Sequence, residues 1–72
     1  MQTIDFPLVG DYVQLCDLLK LIGLADSGGQ GKALVAAGEV TVDGLPESRK
    51  TAKIRAGQRV ECRNVTIQVE RG

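Results

Sequence analysis

Histidine and tryptophan are absent from this chain, and Phe6 and Tyr12 are its only aromatic residues. Without histidine no side chain titrates unperturbed near neutrality, so acid–base chemistry would fall to carboxylates, and those present are scattered. No Ser or Cys has an evident base in its sequence context, and no enzymatic activity is expected. The two cysteines, Cys16 and Cys62, belong to no paired motif, and a tetrahedral zinc site would need two carboxylates beside them. Each lies among apolar neighbours, as a small buried hydrophobe does in a reducing cytosol. Neither a metal nor a cofactor is expected. There is no apolar run of the roughly 18 residues that a membrane-crossing helix needs. The opening Met1-Gln2-Thr3-Ile4-Asp5 has neither the basic nor the apolar part of a secretory leader. A cytoplasmic location with no membrane partner is therefore the expectation.

Seventy-two residues leave room for one domain, 1–72, and 43% hydrophobic with 25% charged residues is a globular composition. A monomer is expected. Nine Lys and Arg balance nine Asp and Glu, and a zero total argues against a polyanion binder. The distribution reverses that argument. Before position 32 the only cation is Lys20, against Asp5, Asp11, Asp17 and Asp26, whereas Arg49, Lys50, Lys53, Arg55 and Arg59 fall between Ser48 and Val60 with no acid among them.

Residues Thr3 to Phe6 alternate weakly, which predicts a short edge strand or extended arm stopped by Pro7. Leu15, Leu18, Leu19 and Ile22 recur at helical spacing, with Asp11 as the expected N-cap and Gly23 as the stop. Ser27 followed by Gln30 fits a capping box, so a second helix is expected from there to about Ala37, ended by Gly38. Val40 and Val42 alternate with polar residues before the hairpin signal Asp43-Gly44, and a return strand passes through Leu45. Glu47 to Ala56 is polar, with Ile54 as its apolar anchor, and Gly57-Gln58 predicts a turn. Val60 and Cys62 differ in parity from Val65, Ile67 and Val69, so a turn at Arg63-Asn64 must bring both sets to one face. The fold class is α+β: two short N-terminal helices packed on a small antiparallel sheet.

The string Gly28-Gly29-Gln30-Gly31-Lys32 superficially suggests a nucleotide-binding loop, but Asp26 and Ala33 stand where that loop needs Gly and Ser or Thr. Three glycines in one helical turn each cost about 0.5–1 kcal/mol relative to Ala, so a close approach must offset them. For Gly31 that approach is helix packing or a ligand; for Gly28 and Gly29, beside the exposed helix start, a phosphate or base is the sharper alternative. Lys32 lies near the positive end of the helix dipole, where an external anion explains it better than fold stability does. Lys53 and Arg55 flank Ile54, so an extended backbone sends both away from the core. Pairing of the stripe with Glu39, Glu47 or Glu61 is the competing explanation for these charges. Phe6 and Tyr12 precede the basic region, which disfavours base stacking and favours folded RNA recognised by shape and phosphate position. The expected RNA-contacting residues are Ser27, Gly28, Gly29, Gln30, Lys32, Arg49, Lys50, Lys53, Arg55 and Arg59. The alternative is a protein-interaction module that turns the same basic face to an acidic partner.

The ordered set Leu15, Leu18-Leu19, Gly23, Ser27, Lys32, Val35, Gly38, Val40, Val42, Asp43-Gly44, Lys53 and Gly57 resembles the RNA-binding module named after small-subunit ribosomal protein S-four, also called the alpha-L motif. The resemblance covers residues 15–60. It implies a helix–turn–helix pair set against a small sheet, with RNA contacted by helix 2 and the loop after the hairpin. Gly28, Gly31 and Asp43 stand where the family commonly has Arg, Ala and Asn, so one phosphate contact is lost and Lys32 carries more of the helix-2 share. The chain is most similar to the stand-alone bacterial members, which implies binding to structured RNA, ribosomal or transfer, and association with the ribosome.

Overall fold

Two alternations of buried and exposed residues build the core. Leu15, Leu18 and Leu19 are inaccessible on one side of helix α1 (Leu15–Leu21), and Leu34 and Val35 are buried on helix α2 (Gly28–Ala36). They meet the inward rows of a five-stranded sheet in a computed structural model that describes residues 2–72. The strands of that sheet are β1 (Gln2–Leu8), β3 (Val40–Val42), β4 (Leu45–Pro46), β6 (Arg59–Cys62) and β7 (Val65–Arg71), in the order β1-β7-β6-β3-β4. A separate ribbon pairs β2 (Val13–Gln14) with β5 (Lys53–Ile54).

The helices lie on a mostly antiparallel sheet, with one departure: β1 runs parallel to β7, from Gln2 opposite Val65 to Leu8 opposite Arg71. Pro7 does not stop β1, because an edge strand has a side on which a missing N–H breaks no ladder bond. Both two-residue hairpin turns take the left-handed backbone that matches strand twist, Asp43-Gly44 at φ 52° and 84° and Arg63-Asn64 at φ 51° and 67°. The second turn brings Val60 and Cys62 onto the same buried face as Ile67 and Val69, as the parity of the sequence requires.

Asp11 is not the cap of α1. Residues 13 and 14 are taken up by β2, so Gln14 stands at the N-cap position and its side chain makes no capping bond. The amides of the first turn are satisfied from elsewhere: Leu15 N–H donates to the Ala52 carbonyl at 2.9 Å and Cys16 N–H to that of Lys50 at 3.2 Å. Helix α2 begins as expected, with Ser27 Oγ accepting from Gln30 N–H at 3.1 Å. The return contact of the box is shifted by one residue, since Gln30 Oε1 accepts from the amide of Asp26, not of Ser27. Gly31 is where the helices touch. A Cβ there would lie 2.5 Å from the Cys16 carbonyl oxygen, so only glycine lets α2 sit this close to α1.

Candidate functional site

The two carbonyl acceptors at Lys50 and Ala52 decide where the basic segment lies. By closing the N-terminus of α1, they strap residues 48–53 beside the helical layer, and Ala52 and Ile54 are buried while Lys53 and Arg55 remain exposed. Lys32 reaches the same place from α2. Together Lys32, Ser48, Arg49, Lys50, Thr51, Ala52 and Lys53 line a surface concavity of about 880 Å³. Cations from two remote stretches of chain therefore converge, and the concavity contains no carboxylate in its lining.

Arg49 is partly neutralised at its rim. Its guanidinium contacts both Glu47 carboxylate oxygens at 3.2 Å, and its amide donates to Oε2 at 3.0 Å. The Arg49 guanidinium and amide hold the Glu47 carboxyl below its ordinary range. The Arg49 side chain nevertheless stays 77% exposed, so its outer N–H groups remain available. Lys32, Lys50, Lys53 and Arg55 form no ion pair among the described residues.

Arg59 lies elsewhere. It precedes the buried Val60 in β6, so the two-residue period of the strand turns it to the outer face of the main sheet, away from the helices. There its Nε is 3.8 Å from Glu61, and its amide donates to Asp43 Oδ1 at 2.9 Å. Of the stripe, Arg49, Lys50 and Lys53 line the concavity; Arg55 lies beside it in a neighbouring hollow, and Arg59 is on the other face. Nor does the start of α2 act as an open cradle: Ser27 and Gln30 use their side chains on the cap, and the nearest atom to a Cβ built on Gly28 is an Asp17 carboxylate oxygen at 4.0 Å. A Cβ on Gly29 would likewise meet only ordinary contact, with Ser27 Oγ at 3.8 Å as its closest neighbour.

Sequence reasoning set Tyr12 aside because it precedes the stripe by some forty positions. The β2–β5 pairing closes that separation. Lys53 Nζ lies 5.0 Å from the centroid of the Tyr12 ring and Arg55 Cζ lies 6.0 Å from it, both within cation–π range. Arg71 is a second residue that local pattern did not reveal. It lines a neighbouring concavity with Arg55, Asp11 and the end of β1, a meeting that exists only because β1 pairs with β7. Among the described residues no cluster of three or more potential metal ligands occurs, and no helix is long and apolar enough to cross a membrane.

Comparison with known proteins gives the same architecture a family. The family model of the S4 domain matches residues 6–70. YbcJ of Escherichia coli strain K12, by its name a candidate RNA-binding protein, is 52% identical over 58 residues, 81% of this chain and 83% of that protein. YbcJ of Shigella flexneri matches to the same extent. The solution structure of E. coli YbcJ, described as revealing an alpha-L motif involved in RNA binding, superposes with a TM-score of 0.68 at 46% identity, covering 97% of this chain and 87% of that one. With a fold of this order and a match that spans nearly its whole length, the chain belongs to the S4 domain family.

Proposed function

We propose that this protein is a non-catalytic RNA-binding module that holds the phosphate backbone of a structured RNA in the Lys32–Arg49–Lys50–Lys53 concavity. The observation that carries this reading is the convergence of α2 and the strapped 48–53 segment into a surface whose lining has four cations and no acid. Like charges placed together without partners repel, and a polyanion relieves that repulsion while releasing its own counterions. Membership of the S4 domain family and the RNA-binding motif described for YbcJ support the same ligand. Ribosomal RNA is the first substrate to try, because its folded stems present phosphates at fixed spacings to a rigid basic surface. The concavity lining holds no histidine and no carboxylate that could serve its Ser48 and Thr51 hydroxyls as a general base.

The test is to titrate stem-loop fragments of ribosomal and transfer RNA with the protein and with the Lys32→Ala/Lys50→Ala/Lys53→Ala variant. The triple variant should bind at least tenfold more weakly, on the order expected for lost phosphate contacts, with its melting temperature nearly unchanged. Equal loss of affinity and stability, or no loss of affinity, would overturn the assignment.

A further inference from the structure

Resting on the RNA-binding reading, we infer that the outer face of the β2–β5 ribbon seats one unpaired nucleotide next to the duplex held in the concavity, with its base stacked on Tyr12. The ribbon has two unlike sides. Ile54 is buried and Val13 half-buried on one side, while Gln14, Lys53 and Arg55 are exposed on the other, next to Tyr12. Tyr12 is 41% exposed, in a protein whose large apolar side chains are mostly buried. Gln14 is opposite Lys53 in register, and its amide is not used to cap α1, although the residue occupies the capping position.

These groups match the parts of a nucleotide one for one. A phenol ring offers a plane to any base, an amide offers paired donor and acceptor to a base edge, and two cations meet the flanking phosphates. Charge alone would not require the ring. The Arg55 guanidinium, its Cζ 6.0 Å from the Tyr12 centroid, is near enough to the same place to stack on a base. Lys53 belongs both to the ribbon and to the concavity lining, which makes the nucleotide subsite continuous with the phosphate track. The preferred RNA is thus a stem with an unpaired residue at its end or in a bulge, not a plain duplex.

Tyr12 is the single tyrosine in a chain without tryptophan, so its ring gives one assignable set of phenol resonances. The probes are a blunt RNA duplex, the same duplex with a short unpaired adenosine tail, and inorganic tripolyphosphate. The tail should tighten binding about tenfold, the scale of one base–aromatic stack, and move the Tyr12 ring protons upfield. Tripolyphosphate should bind without that shift. Tyr12→Leu should lose the gain from the tail but keep the affinity for the blunt duplex, and Tyr12→Phe should keep both. A duplex bound with normal salt dependence, a tail that adds less than twofold and an unmoved Tyr12 would overturn this inference alone. Failure to bind the duplex at all would overturn the RNA-binding reading and the inference with it. Should Tyr12→Leu fail to fold, the resonance shift in the unmodified protein still decides.

Discussion

On the helical side of the protein, Lys32, Lys50, Lys53 and Arg55 have no carboxylate partner among the described residues and Arg49 alone is paired, with Glu47, whereas on the outer side of the sheet Arg59 and Arg63 both lie near carboxylates. Arg63 donates from Nε and Nη2 to both oxygens of Glu39 at 3.0 and 3.1 Å, and Arg59 lies near Glu61. A zero net charge describes neither surface. Paired surface ions contribute little to stability and present little net field, whereas unpaired cations on a concave wall present a concentrated one. The contrast teaches that the stripe seen in sequence divides in two: Arg49, Lys50, Lys53 and Arg55 lie on the helical side, and Arg59 is tied into the sheet.

The largest way to break the comparison is to disturb the packing that holds the two cationic segments together. Gly31→Ala would put a methyl against the Cys16 backbone, which cannot give way as a side-chain end could. We expect a loss of about 2–4 kcal/mol in denaturant unfolding, against a helix-propensity gain of at most about 1 kcal/mol. Gly29→Ala, whose methyl would make only an ordinary contact with Ser27 Oγ, should instead leave stability unchanged or raise it by about 0.5–1 kcal/mol. If the two variants unfold alike, the close approach of α1 and α2 is not what seats Lys32 beside the loop.

Next in size is charge reversal on each face. Lys50→Glu should weaken binding of a ribosomal stem-loop more than tenfold at moderate salt, and Arg59→Glu less than threefold, because only Lys50 lines the concavity. Equal effects in electrophoretic shift titrations would erase the distinction between the faces.

How much of this was legible beforehand differs by element. The cap at Ser27, the stop at Gly38 and the Arg63-Asn64 turn follow from local chemistry and strand parity, and all are present. Sequence order groups Arg59 with the stripe, although the burial of Val60 in β6 turns it to the opposite face of the sheet. What local pattern could not reveal depends on distant pairing. Thr3 to Phe6 says nothing of a parallel partner more than sixty positions away, and Tyr12 meets Lys53 and Arg55 only through the β2–β5 ribbon. Asp11 failed as a cap for the same reason: the residues between it and α1 are used in that ribbon, and loop carbonyls satisfy the helix start.

A smaller and sharper test lies at the rim. Glu47→Gln would free Arg49 and remove the nearest negative charge, so RNA affinity should rise about threefold at low salt and less at high salt. Acid should not mimic this near neutrality. Because Arg49 lowers the Glu47 pKa from its ordinary 4.5, the carboxylate stays charged at pH 5, and the stability it contributes is lost only as pH falls through that lowered value. With no histidine in the chain, binding should be flat between about pH 5.5 and 8.

The salt dependence of RNA binding tests the central claim most directly. Four phosphates neutralised by the concavity predict that log K falls against log salt with a slope of about −3.6 for a duplex, roughly a hundredfold loss of affinity between 50 and 200 mM. A flat line over that range, with the RNA still bound, would contradict it.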